Sequence, residues 1–329
     1  PILIFYLYYP LSQFKMRIKD WEWILQILFI CVIIVHIFAT LFPNIYLFQM
    51  SSGQDRFLED GRARSYSNVI LWLGNIICFN KWMVKDHIAR NISLFVVSLF
   101  LIILTGYRIM LLADVLVCGI IFIKIKRISI KHFIGGAVLV FITIAVLSSI
   151  QIVRERWEEV MERNEEQNLD NEDYIRVVLV LYYYTEYFIS NWELFLGSGM
   201  VERVFSDNPA IKRNYPSEYS KKLSDQMTDD KLMPIDVGLL GLSWEAGIPA
   251  VVLMILICLM LTCVKQDERY LYIRAWGLFL LIISGLNPRY YYNHNLIYTV
   301  IIWLILEQTR FHNNSMLNIL GGHLIKKAR

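Results

Sequence analysis

The chain has 329 residues, of which 56% are hydrophobic, and a mean hydropathy of +0.46. Soluble domains are about 45–50% apolar, so the composition argues against a soluble protein and favours one that spans a membrane. The formal net charge of +3 is small, and we expect no nucleic-acid partner.

Eight apolar segments predict an all-α, polytopic membrane protein. A membrane helix needs about 20 apolar residues to cross the hydrocarbon core, and the longest segments reach that length. In chain order the predicted spans are residues 21–42, 68–83, 91–105, 109–123, 133–153, 237–264, 271–286 and 295–307. Residues 1–11 are too short to span, and we interpret them as the end of an earlier helix, with further helices expected upstream.

Basic residues fall in alternate connections between these spans. They cluster in residues 15–19, 81–90, 124–131, 265–269 and the end of the chain. Short loops rich in Lys and Arg stay in the cytoplasm, so the long loop is predicted to lie outside. The chain then divides into a first membrane region (1–153), a large, partly helical external loop (154–236), a second membrane region (237–310) and a basic cytoplasmic tail (311–329).

The external loop is acidic, unlike the rest of the chain. It holds 18 Asp and Glu against 10 Lys and Arg, a net charge of −8, so the remaining segments carry +11. Long loops often carry function. The aromatic segment 174–190 predicts a helix at the membrane interface, ended by Gly197-Ser198-Gly199. The five cysteines all lie in apolar segments, so no disulfide is expected in the loop.

Four arginines are expected at or near the outer surface: Arg108, Arg176, Arg203 and Arg289. Guanidinium groups match phosphate oxygens and stay charged, so Arg108, in a turn between two apolar helices, is a candidate phosphate ligand. The alternative is a salt bridge or a contact with lipid headgroups. Arg176 and Arg289 have the same two interpretations, whereas Arg203 is interpreted as a surface charge.

Several acidic residues are candidates for proton transfer or sugar binding. Asp236 precedes a predicted helix, where it is either an N-cap or a carboxylate that accepts a proton from a sugar hydroxyl. Glu245 lies ~13 Å further along that helix, so the two do not form a paired site. Glu186 lies among tyrosines, including Tyr183, that either stack on sugars or form an interfacial belt. Asp114 needs a partner on another helix, and we interpret it as structural.

Signals for metal and cofactor sites are missing from the sequence. The six histidines show no metal-ligand spacing. The chain has no Walker loop, no dinucleotide-binding glycine motif and no external Asp-x-Asp. We therefore predict neither a metal nor a cofactor.

Three stretches, in this order, resemble motifs of the O-antigen polymerase and ligase superfamily. Residues 104–108 (LTGYR) are similar to its turn of sequence L-T-x-S-R. Arg176 followed by residues 196–200 (LGSGM) resembles its arginine and glycine-rich segment. Residues 236–248 (DVGLLGLSWEAGI) are similar to the stretch that closes the long loop. Residues 61–68 also fit, and the likeness covers roughly residues 55–310.

The resemblance implies a glycosyltransferase that uses undecaprenyl-pyrophosphate-linked glycans at the outer face of the bacterial inner membrane, with a periplasmic loop. By position, Arg108 and Arg176 would hold the pyrophosphate, and Asp236 would orient or deprotonate the acceptor sugar. The substrate-binding candidates are Arg289, Glu186, Tyr183 and Glu245. The implied partners are membrane lipids and, in the same pathway, a chain-length regulator and a flippase.

Two departures from the motifs bear on the branch of the superfamily. Tyr107 replaces the usual serine, and Asp236 stands where ligases carry a histidine. The second departure favours a polymerase, which joins repeat units into surface polysaccharide. The alternatives are a glycan ligase, a transporter of polyprenyl-linked sugars and a non-catalytic scaffold.

Overall fold

The computed structural model describes residues 2–14, 16–41, 69–104, 108–126, 191–197, 239–284 and 296–310, and these residues form helices without strands. The helices are α1 (Ile2–Gln13), α2 (Ile18–Leu41), α3 (Val69–Met83), α4 (Ile88–Leu104), α5 (Arg108–Lys126), α6 (Asn191–Leu196), α7 (Leu239–Cys263), α8 (Leu271–Ser284) and α9 (296–310). A 3-10 turn, Glu268–Tyr270, precedes α8. Seven of the eight apolar segments are therefore confirmed as helices; the segment 133–153 lies outside the described residues.

Helix α3 lies at the centre of the described bundle. Every residue of this helix except Trp82 is buried. It packs against α2, α4, α5 and α8. Because no face of α3 meets solvent, its polar side chains must find hydrogen-bond partners on neighbouring helices.

An aromatic stack joins α3 to α8 and α9. The ring centroids of Trp72 and Phe279 are 6.0 Å apart, and those of Phe279 and Trp276 are 5.3 Å apart with planes within 13° of parallel. All three side chains are fully buried. The indole Nε1 of Trp276 donates a hydrogen bond to Thr299 Oγ1 at 3.3 Å. Offset-stacked rings of this kind add to the stabilisation from burial alone.

Glu22 joins three helices at one end of the bundle. Its Oε2 lies 2.9 Å from Lys81 Nζ, and its Oε1 accepts a hydrogen bond from the hydroxyl of Tyr272 at 2.8 Å. The Lys81 and Glu22 side chains are only 10% and 13% exposed. Lys81, which the sequence assigns to a basic connection, instead completes a largely buried ion pair between α3 and α2.

Two amide side chains hold the chain connections at the same end. Asn80 Nδ2 donates to the backbone oxygens of Glu268 and Arg269 at 3.1 and 3.2 Å, which fixes the turn between α7 and α8. Gln308 Nε2 donates to the backbone oxygen of Met16 at 2.8 Å, which holds α9 to the segment before α2. Hydrogen bonds from side chains to the backbone therefore hold the helices and their connections together at this end of the bundle.

The described helices also expose apolar surface. Ile18–Phe38 and Ala246–Cys263 are long and apolar enough to cross a membrane. Large apolar side chains project outward at four-residue intervals on α5 and α7: Leu112, Leu116, Ile120, Val252 and Leu256. Continuous apolar stripes of this kind are unfavourable in water and mark contact with lipid or another protein. Both observations suggest that the chain associates with a membrane.

Replacement of Lys81 by methionine is expected to lower the free energy of unfolding by about 3–5 kcal/mol, because it leaves the Glu22 carboxylate buried without its cation. Chemical denaturation of the purified protein in detergent measures the change. The exposed residue Lys19 provides the control, Lys19→Met. Removal of both charges in Glu22→Gln with Lys81→Met should recover most of the loss. Equal stability of Lys81→Met and Lys19→Met would contradict the prediction.

Candidate functional site

Helix α5 begins at Arg108, four residues after α4 ends at Leu104. Both helices pack against α3. The first turn of a helix presents free backbone N–H groups and the positive end of the helix dipole, and the first turn of α5 contains no acidic residue. The start of α5 is therefore suited to an anion; the Arg108 side chain itself lies outside the described residues.

Three buried polar side chains, one on each of α3, α4 and α5, form a chain of hydrogen bonds. Asn75 Nδ2 on α3 donates to Asp114 Oδ2 on α5 at 2.5 Å, and Ser98 Oγ on α4 donates to Asn75 Oδ1 at 2.7 Å. Each of the three residues is at most 1% exposed. The expectation that Asp114 finds its partner on another helix is thus confirmed.

This chain of hydrogen bonds holds α5 at a fixed depth against α3. Asp114 is six residues into α5, or ~9 Å along its axis from Arg108. Asp114 is bonded to Asn75 on α3, and Asn75 is bonded to Ser98 on α4. The two helices on either side of the Arg108 turn, α4 and α5, are therefore both held to α3. Asp114 Oδ1 has no hydrogen-bond partner among the described residues. Buried polar groups without partners are costly, and the hydrogen bond from Asn75 offsets part of the cost of burying Asp114.

Helix α7 breaks at Gly247, within the segment 237–264 that the sequence predicted as one helix. Gly247 has φ 78° and ψ 172°, outside the helical region. Pro249 follows two residues later and lacks the N–H that a continuing helix would use. The two residues together explain the break, and a glycine with a nearby proline is the sequence signal for it.

The short helix α6 packs against α7 at this break. A Cβ atom at Gly247 would overlap the backbone oxygens of Phe195 and Leu196, so only glycine permits the contact. Gly197, directly after α6, also has a positive φ of 82°. The glycine-rich segment that starts at Leu196 and the segment that ends at Gly247 and Ile248 therefore meet, although about fifty residues separate them along the chain. The sequence alone did not identify this contact.

The remaining site predictions lie outside the described residues. These are the positions of Arg176, Tyr183, Glu186, Arg203, Asp236 and Arg289, and the side chains of Arg108 and Glu245. Glu245 belongs to α7, two residues before the break. Within the described part of the chain, no group of three His, Cys, Asp or Glu side chains is arranged to hold a metal ion. The predicted absence of a metal and a cofactor stays a prediction.

Comparison of the chain with protein-family models, with curated proteins and with solved structures found no match in any of the three.

Substitution of Gly247 by alanine is expected to detach α6 from α7, because the added Cβ meets the α6 backbone and disfavours the positive φ. The local cost should be about 1–3 kcal/mol. Hydrogen exchange measured by mass spectrometry should show faster exchange in residues 191–197. The matched control is Gly241→Ala, which lies in the helical part of α7 and is buried. Unchanged exchange of α6 in Gly247→Ala would contradict the contact.

Proposed function

We propose that the chain is a glycosyltransferase that polymerises polyprenyl-pyrophosphate-linked repeat units at the outer face of the bacterial inner membrane. The observation that carries the proposal is the contact between Gly247 and the backbone of Phe195 and Leu196. It joins two of the three stretches that resemble the O-antigen polymerase and ligase superfamily. The third stretch ends at Arg108, where α5 begins.

The membrane placement rests on hydropathy and charge together. The apolar stripes on α5 and α7 and the two long apolar helices favour a lipid environment. In the proposed topology eight helices cross the membrane and the basic connections face the cytoplasm. The loop 154–236 then lies in the periplasm, on the same side as the start of α5.

The proposed reaction replaces one bond to the anomeric carbon with another. A hydroxyl of the acceptor sugar attacks the anomeric carbon of the donor glycan, and the bond from that carbon to the pyrophosphate oxygen breaks. Asp236 takes the hydroxyl proton, and undecaprenyl pyrophosphate leaves. Arg108, Arg176 and the first turn of α5 stabilise the negative charge that develops on the leaving group. Pyrophosphate is a good leaving group, so neither a metal nor a nucleotide is needed.

The other predicted residues are assigned to substrate binding. Glu186 and Tyr183 would contact the sugars from the loop, and Arg289 and Glu245 would do so from the ends of the membrane helices. Asp114 is assigned a positioning role, because its contact with Asn75 fixes α5. A flippase would deliver the lipid-linked repeats, and a chain-length regulator would set how many are joined.

A transporter of polyprenyl-linked sugars is a second candidate. The buried Asn75–Asp114 contact and the break in α7 favour it, because transporters carry polar residues and broken helices within the membrane. In cells without the chain, a transport defect would leave lipid-linked repeats on the cytoplasmic face. A polymerase defect would leave single repeats on the outer face, and a ligase defect would leave long polymer unligated.

Replacement of Arg108 by alanine is expected to lower the rate of polymerisation by about 10²–10³-fold, the typical effect of removing one group that stabilises developing negative charge. Gel analysis of surface polysaccharide should show single repeats in place of long chains. Arg108→Lys keeps the charge but not the paired donors, and an intermediate chain length is expected.

The matched control for this experiment is Arg90→Ala, since Arg90 is exposed at the opposite end of the bundle. Blotting of the membrane fraction verifies that each variant is present at the level of the unmodified protein. Undiminished polymer length in Arg108→Ala would rule out the proposed role of Arg108.

A further inference from the structure

An open groove lies between α5, α7 and α8, at the end of the bundle where α5 ends and α8 begins. Its walls are mainly apolar side chains: Val117, Ile120, Ile121, Leu271, Ala275 and Leu278. Two basic residues, Lys124 and Arg274, and Thr262 complete the lining. The groove is far from the start of α5 and belongs to the opposite end of that helix.

The two basic residues of the groove have no acidic partner in the part of the chain that the structure describes. Among the described residues, neither Lys124 nor Arg274 forms an ion pair. Arg274 Nε donates to the backbone oxygen of Thr262 at 2.8 Å, and its other nitrogens make no hydrogen bond within the described part of the chain. Two positive charges that share one groove repel each other, and an anion between them would offset that repulsion.

An exposed apolar path leads along α5 from these charges. Ile120, Leu116 and Leu112 are 46%, 40% and 60% exposed and follow one another at four-residue intervals. The path from Lys124 to Leu112 is twelve residues, or ~18 Å. This length is a little more than half of the ~30 Å hydrocarbon core, and so matches one leaflet.

We propose that this groove binds an anionic phospholipid of the cytoplasmic leaflet. Its phosphate lies between Lys124 and Arg274, and one acyl chain follows the apolar path on α5. The basic residues at one end match a phospholipid headgroup, and the apolar path matches an acyl chain that spans one leaflet. A peptide would match this combination less well. The inference rests on the proposed membrane placement but not on the proposed polymerase reaction.

The test measures lipid selectivity of the full chain. The protein is reconstituted in nanodiscs of phosphatidylcholine with phosphatidylglycerol as the anionic probe, and the lipids retained after detergent extraction are counted by native mass spectrometry. Lys124→Gln and Arg274→Gln are each expected to lower retained phosphatidylglycerol about fivefold, the effect of about one charge at a membrane surface. Lys126→Gln, exposed on the same helix but outside the groove, is the control and should retain it.

Two further measurements distinguish a bound phospholipid from a free anion. Ile120→Ser should weaken retention through the apolar path, and inorganic phosphate at matched ionic strength should not displace the lipid. Displacement by phosphate alone would overturn the proposal in favour of a simple anion site. Equal losses in Lys124→Gln and Lys126→Gln would also overturn it.

The lipid measurement does not depend on the folding of every variant or on the polymerase proposal. Where Arg274→Gln does not fold, because its contact with Thr262 is lost, Lys124→Gln decides the question alone. Lipid retention is measured without any glycan substrate, so the result for Arg108→Ala in the polymerisation assay does not affect it.

Discussion

The burial of α3 on every side is the constraint on which the rest of the bundle depends. A helix with no exposed face has no solvent to satisfy its polar side chains. Asn75 and Lys81 are therefore bonded to Asp114 and Glu22 on neighbouring helices. Each contact fixes the rotation and depth of a neighbour relative to α3, which apolar packing alone specifies less sharply.

The break in α7 allows a different kind of contact, in which the backbone of α6 packs directly against α7. A side chain at position 247 would overlap the backbone of Phe195 and Leu196 in α6. The glycine allows two backbones to approach directly, so the position of α6 follows that of α7 and not that of flexible side chains. In the proposed enzyme this contact would transmit the placement of the loop to the helix that carries Glu245.

The sequence predicted helices well and contacts poorly. Continuous apolar runs identify a helix regardless of its neighbours, so seven of the predicted segments agree with observed helices within a few residues. The sequence also showed that Asp114 needs a partner, because a buried acid is costly. It did not identify Asn75 as that partner, since nothing in a helical pattern says which helices are adjacent. For the same reason Lys81 was assigned to a connection and not to an ion pair with Glu22.

The two ends of the described bundle differ in how they are held together. At the end where α3 finishes, Glu22, Asn80 and Gln308 tie helices and connections to one another. Toward the other end, the hydrogen bonds of Asn75 and the contact of Gly247 with α6 hold the described helices together. The contacts at both ends act between different helices, so each of them sets the position of one described helix against another. Apolar packing alone specifies such positions less sharply.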